Sequence, residues 1–257
     1  MVAGYDGAMR KARLRILILG GTAEARELAE RLVGMGHEPI TSLAGRTRDP
    51  VKPPGALRVG KFGGIPGLVG YLTAHAIDRV VDATHPYAGL ISINAVGASN
   101  AAGVPLVRYV RPAWTEPAGA GWVHVSDLAA AARALPTNAQ VLVTTGHEEL
   151  EALLRRDDCE FVVRLIEEPD APPLPRHAKL LLTRPPYTVA SETALMRDEE
   201  ITHLVTKNSG GWQTHAKLEA AKALGVTVLM VARPSYPPAR EVSTIDEAIA
   251  ALHLDAS

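Results

Sequence analysis

The chain is poor in several residue types, and each shortage removes a class of function. One cysteine in 257 residues excludes an internal disulfide framework and fits a reducing cytoplasm. Aromatic residues make up 4% of the chain, too few for the stacking platforms of a single-strand nucleic-acid binder. Neither sign of charge prevails. With 27 Lys and Arg against 28 Asp and Glu, the formal net charge is −1, which argues against nucleic acid or any general polyanion as partner. No apolar run approaches the roughly 20 residues that span a bilayer, so no membrane partner is expected. The aliphatic stretch Ile16–Leu19, behind the basic Arg10, Lys11, Arg13 and Arg15, is too short for a signal-peptide core. The nine histidines fall in no His-x-x-x-His or His-Glu-x-x-His spacing, and no bound metal is expected. Gly-x-Ser-x-Gly elbows and P-loops are also missing. Cys159 has no base beside it in sequence and reads as a buried structural thiol.

What remains is ample for a core: 47% of residues are hydrophobic and 21% charged. After a loose tail over residues 1–12, short β-rich runs alternate with alanine-rich helical patterns. Arg15–Leu19, Glu38–Leu43, Leu57–Val59, Arg79–Asp82 and Leu106–Arg108 read as strands, with helices over Ala23–Gly34, Ile65–Ala74 and Gly89–Ala102 between them. Gly34 and Gly103 sit where helix C-caps belong. The Pro/Gly-rich stretch 111–119 reads as a connection, after which the alternation resumes through strands near Trp122–Val125, Gln140–Thr144, Glu160–Leu165, Lys179–Thr183, Thr202–Thr206 and Thr227–Val231. The expected fold is α/β: two Rossmann-like, doubly wound parallel-sheet domains over 13–112 and 120–240, a C-terminal helix over 241–257, and an interdomain cleft for ligands.

The chemistry-bearing residues cluster at expected strand ends. The run Ile16–Leu19 breaks at Gly20-Gly21, and Thr22 opens a helix whose first N–H groups can receive a phosphate. Thr22 is equally a plain N-cap. After the second strand, where a fold that binds NAD would carry an acidic residue, the chain has Gly45-Arg46-Thr47-Arg48. Arg46 suits a ribose 2′-phosphate, Thr47 adds a hydroxyl, and the expected cofactor is NADPH. Asp82-Ala83-Thr84-His85-Pro86-Tyr87 ends the fourth strand. Pro86 stiffens this segment, so that His85 or Tyr87 could donate a proton or bind a carboxylate. Thr206-Lys207-Asn208-Ser209-Gly210-Gly211 repeats the logic in the second half. Its glycines would let the backbone approach a ligand, and its cation and neutral donors suit an anion or amide. Thr144-Thr145-Gly146-His147 is a third strand end of this type.

Five blocks in order, Ile18-Leu19-Gly20-Gly21-Thr22-x-Glu24-Ala25, Ser42-Leu43-Ala44-Gly45-Arg46-Thr47, Arg58-Val59-Gly60-x-Phe62-Gly63-Gly64, Asp82–Ala88 and Thr206–Gly211, resemble those of the precorrin-6A reductases of corrin-ring biosynthesis. The resemblance covers nearly the whole chain and implies NADPH-dependent reduction of one double bond of a tetrapyrrole substrate, with hydride added to one carbon and a proton to its neighbour. Candidate cofactor contacts are Gly20, Gly21, Thr22, Glu24, Arg46, Thr47 and Thr84. Candidate catalytic groups are His85, Tyr87 and Lys207, and candidate substrate contacts are Asn208, Ser209, Gly210, His147, Arg111 and Arg164. Arg108, Arg176 and Arg184 are further candidate cations for the substrate's carboxylate rim. Tyr87 stands where Phe is commoner, and His147 where Arg or Gln is. Whether the substrate is metal-free or carries cobalt stays open, as does hand-off to neighbouring corrin-pathway enzymes. The rival classes are a non-catalytic NADPH sensor and a sugar or hydroxyacid dehydrogenase; the latter would need a Tyr-x-x-x-Lys pair, which is missing.

Overall fold

The computed structural model describes residues 13–45, 51–169 and 172–253. Arg46 and Thr47 lie outside them. The chain divides into two compact units: one runs to Val110 and resumes at Tyr236, and the other is Arg111–Ser235.

In the first unit the strands are β1 (Arg15–Leu19), β2 (Glu38–Leu43), β3 (Ala56–Val59), β4 (Arg79–Asp82) and β5 (Leu106–Tyr109). The helices α1 (Ala23–Gly34), α2 (Gly64–Ala74) and α3 (Gly89–Ala102) alternate with them. All pairings are parallel, in the order β3-β2-β1-β4-β5. That arrangement needs strands buried on both faces, and β1 shows how the sequence meets it. Ile16 and Ile18 pack into one core with Ala25, Leu28, Ala29 and Leu32 of α1. Leu17 and Leu19 face the opposite core with Leu68 and Leu72 of α2 and Ala95 and Ala98 of α3. An unbroken aliphatic run thus feeds both layers. Gly34 is the last residue of α1 and not its cap: Met35 is the C-cap and Gly36 takes the left-handed conformation at φ 84°. Gly103 does cap α3, at φ 66°.

The second unit has strands β6 (Val123–Val125), β7 (Gln140–Val143), β8 (Glu160–Leu165), β9 (Ala178–Leu182), β10 (His203–Lys207) and β11 (Thr227–Val231). Its helices are α4 (Leu128–Ala134), α5 (Leu150–Leu154), α6 (Val189–Asp198) and α7 (Ala216–Leu224). Its sheet is again all parallel, in the order β6-β11-β10-β7-β8-β9. Both sheets therefore contain the same five-strand winding, with β1 and β7 as equivalent first strands.

The sixth strand of each sheet comes from out of turn. β6, which precedes β7, lies beside β11 in the second sheet. A twelfth strand, β12 (Arg240–Val242), pairs with β5 in the first sheet, and α8 (Ile245–His253) packs Ile245, Ala248, Ile249 and Leu252 against the β1–α1 core. The segment expected to end a second domain at 240 and to leave a separate terminal helix instead completes the first unit. Three residues of mixed polarity in Arg240–Val242 carry no alternation from which a strand could be read.

Candidate functional site

In an open parallel sheet, ligands bind outside the carboxyl ends of the strands where the winding reverses. In the first unit that point lies between β1 and β4, and the two turns there are tied directly. The Thr22 hydroxyl donates to the Ala83 carbonyl at 2.8 Å and accepts from the Ala25 N–H at 3.1 Å. Thr22 is thus both the helix N-cap and a clasp across the reversal point. Gly20 is required by packing, because a Cβ there would lie 2.8 Å from Thr41 Cγ2. Gly21 is required by its backbone, at φ 112°, and no atom lies within 4 Å of where its Cβ would stand. The turn therefore presents open space beside a helix start whose remaining first-turn N–H groups have no intrahelical acceptor. Glu24 lies in the same first turn, where its charge favours the helix dipole but opposes a second anion.

The segment after β4 is braced from below and from the side. Asp82, buried, accepts from the Thr84 hydroxyl at 2.6 Å through one oxygen and faces Arg108 Nε at 3.5 Å through the other. Arg108, one of the candidate rim cations, is only 4% exposed and also reaches the Pro237 carbonyl and Glu241, so it braces this unit. The Tyr236 hydroxyl donates to the Pro86 carbonyl at 2.6 Å, and its ring lies 3.3 Å from where a Cβ on Gly89 would be. On this held loop His85 is exposed and Tyr87 half-buried, their rings 5.7 Å apart. The Tyr87 N–H donates to His85 Nδ1 at 3.3 Å, which puts the proton of a neutral imidazole on Nε2.

The second unit repeats the arrangement between β7 and β10. Here several expected ligand contacts are internal instead. The Asn208 amide is engaged at both ends with Trp114: its oxygen accepts from the Trp114 N–H at 2.8 Å and its nitrogen donates to the Trp114 carbonyl at 3.1 Å. Arg111 Nε donates to the Ser209 carbonyl at 2.6 Å, and Ser209 is itself buried. Arg233 spans the Asn208 and Arg111 carbonyls. Gly210, at φ 64°, is pressed against the connection: a Cβ would sit 2.2 Å from the Pro112 carbonyl oxygen, and one on Gly211 would sit 3.0 Å from Arg111. The glycines admit the protein's own connecting segment, and Asn208, Gly210 and Arg111 fix the loop. Lys207 is half-buried at its start, and His147 is exposed after β7. The buried Thr145 hydroxyl, beside it, has no hydrogen-bond partner among the described residues.

Arg164 takes a different role from the one expected. It is buried and paired with the buried Glu192 of α6, under the ring of Tyr187 at 4.1 Å. Lys217 of α7 joins this cluster with its ammonium 5.2 Å from the Trp114 ring. Burial, reinforced by Arg164 and opposed by Glu192, lowers the Lys217 pKa from 10.5 to about 7. Arg164 is therefore part of a buried electrostatic cluster in which Glu192 holds its guanidinium.

Residues 15–253 match the family described as precorrin-6x reductase CbiJ/CobK. The chain belongs to the precorrin-6x reductase family. It is 49% identical over 240 residues to a precorrin-6A reductase of Rhodococcus erythropolis, covering 93% of this chain and 96% of that one. A precorrin-6A reductase of Rhodobacter capsulatus is 44% identical, with 91% and 94% covered. Among solved structures, a CobK precorrin-6A reductase superposes with a TM-score of 0.88 at 41% identity, covering 93% of this chain and 96% of that one.

As a member of this family, the reductase is an oxidoreductase of cobalamin biosynthesis that acts on a carbon–carbon double bond, and its Rossmann-like fold points to a nicotinamide cofactor. Structure also explains a family-like block that sequence reasoning left without a role. Arg58 of β3 donates to the Ser42 hydroxyl and the carbonyls of Gly60 and Lys61, and its guanidinium lies 3.7 Å from the Phe62 ring centroid. It holds the loop beyond β3 in shape. Tyr236 and Lys217 belong to no motif visible in the sequence. Lys217 carried one signal, a lysine within the apolar stripe Ala216, Leu218, Ala220 and Ala221, though adjacent residues on a helix face different ways and the stripe is ambiguous. Cys159 is buried, and burial raises its thiol pKa, in keeping with a structural role.

Proposed function

We propose that the chain catalyses NADPH-dependent reduction of precorrin-6A to precorrin-6B, adding hydride to one carbon of a ring double bond and a proton to its neighbour. The observation that carries this reading is the near full-length match to precorrin-6A reductases. Both relatives are named for precorrin-6A, while a less similar relative of Priestia megaterium, 30% identical, is named for cobalt-precorrin-6A, which supports the metal-free substrate here. No helix among the described residues is long and apolar enough to cross a membrane, and we place the reaction in the cytoplasm, with product passed to later corrin-pathway enzymes.

The β1–α1 turn fits a dinucleotide: Gly21 leaves room for a phosphate to approach the backbone, and Thr22 holds the turn against β4. Gly20, Gly21, Thr22 and Thr84 would line the phosphates and adjoining ribose, with Glu24 as an acceptor for a ribose hydroxyl. Arg46 and Thr47 would take the 2′-phosphate. When bound, NADPH supplies the hydride. His85 is the proton source this reading favours, as an imidazolium that becomes neutral on giving up its proton; the nearby Tyr87 is its alternate, and Lys207 supplies positive charge on the second unit. His147 and Ser209 remain substrate-contact candidates, while Asn208, Gly210, Arg111 and Arg164 act through loop and core geometry.

The test is to mix the purified chain with NADPH and precorrin-6A and follow the reduced-nicotinamide absorbance, comparing it with Arg46→Ala. Wild type should consume NADPH. The variant should raise KM for NADPH by about 10- to 100-fold, as expected for a lost charge-assisted contact, with NADH use nearly unchanged. A chain that leaves the absorbance unchanged is a sensor; equal damage to both cofactors removes Arg46 from the 2′-phosphate.

A further inference from the structure

Trp212 is 72% exposed in a chain with three tryptophans. The other two are engaged. Trp122 is buried, and Trp114 donates its indole N–H to the Gly211 carbonyl at 3.1 Å. Trp212 stands on a short 3-10 turn, residues Trp212–Thr214, directly after the braced Lys207–Gly211 loop. Three more large apolar side chains are exposed at the same end of the second sheet. Ile166, at 49%, lies just past β8; Leu182, at 48%, closes β9; Val189, at 39%, opens α6.

These residues come from adjoining segments. β8 and β9 are paired through Leu165 and Leu182, so their ends lie side by side. The Tyr187 N–H, just before α6, donates to the Gln213 carbonyl at 3.2 Å, joining that turn to the one carrying Trp212. Leaving this much apolar surface in water is unfavourable, and it lies along the carboxyl ends of a parallel sheet, where open α/β folds take their ligands. An indole offers a large flat face at the cost of two rotatable bonds. The loop beneath it is held by Arg111, Asn208 and Arg233, so its position is prepared before any ligand arrives.

We propose that Trp212 is the plate against which the conjugated face of the tetrapyrrole stacks, with Ile166 and Val189 extending the apolar floor. This rests on the precorrin-6A reading above and adds the residue that recognises the ring itself, as opposed to its carboxylate rim. Stacking of a conjugated ring on an aromatic side chain is worth about 1–3 kcal/mol, or roughly 5- to 150-fold in affinity.

The experiment compares wild type, Trp212→Ala and Trp212→Phe as full chains. Retention of precorrin-6A is measured by equilibrium dialysis without NADPH, and both Michaelis constants are measured in turnover. Trp212→Ala should weaken retention and raise KM for precorrin-6A by about 10- to 100-fold, Trp212→Phe should recover most of the loss, and KM for NADPH should stay within about twofold. Because the side chain is exposed, thermal midpoints should match wild type. Unchanged retention overturns the proposal. So does a parallel rise in KM for NADPH, which would mean that the indole stacks on the cofactor's adenine. A change in sedimentation with retention intact also overturns it, as the mark of a subunit contact. Wild type that retains precorrin-6A but does not oxidise NADPH would refute the reductase reading and leave the stacking assignment standing.

Discussion

Lys217 offers the sharpest test of the buried electrostatics. It is 4% exposed, faces Arg164 and Glu192, and has the Trp114 ring as its other near neighbour. Its pKa falls from 10.5 in the unfolded chain to about 7 in the folded one, mainly because burial penalises the ammonium. Above pH 7 the folded state has released this proton while the unfolded state still holds it, so stability rises with pH, by about 1.4 kcal/mol per unit in the limit. Below pH 7 both states are protonated and the cost is constant, on the order of 5 kcal/mol. Lys217→Met keeps the volume and removes the charge. The variant should be more stable than wild type at pH 6 to 7. Its advantage should shrink by about 2–3 kcal/mol between pH 7 and pH 9. Trp114, Trp122 and Trp212 all lie in the second unit, so urea unfolding followed by indole emission reports on that unit. A stability difference that stays flat from pH 6 to pH 9 would refute the argument, because it would mean that the ammonium keeps its ordinary pKa when folded.

Two further outcomes follow from the loops. Gly210→Ala combines a left-handed backbone with a Cβ 2.2 Å from the Pro112 carbonyl oxygen, so it should destabilise the second unit by about 2 kcal/mol or more; an unfolding midpoint equal to wild type would mean the connection does not press on this loop. His85→Gln should slow turnover by about 100-fold with KM for NADPH within about twofold, measured at saturating substrate. Wild-type turnover in this variant would transfer the proton to Tyr87 or solvent.

Much of the architecture was legible in the chain because its causes are local. Ile16–Leu19 has to be a strand buried on both faces, Thr22 has to begin a helix, and the repetition of this unit implies a parallel sheet. Strand ends carrying Gly-Gly-Thr, Asp-Ala-Thr-His-Pro-Tyr and Thr-Lys-Asn-Ser-Gly-Gly therefore mark the points where winding reverses, and β1 with β4 and β7 with β10 lie there. The family, too, could be read from those blocks, since they combine local turn chemistry with order along the chain.

What the residues do within those turns was decided by partners far away in sequence. Asn208 and Trp114 are 94 positions apart, yet their mutual bonds turn an expected ligand contact into a brace. Arg164 is identified as a core charge only once Glu192, 28 positions on, closes over it. Tyr236 reaches Pro86 across 150 positions, because β12 and α8 return to the first sheet after the second is complete. Periodicity and turn propensity act over a few residues. The identity of a side chain's neighbour is settled by packing two sheets' worth of chain, and it is this packing that determines which polar groups remain available to a substrate.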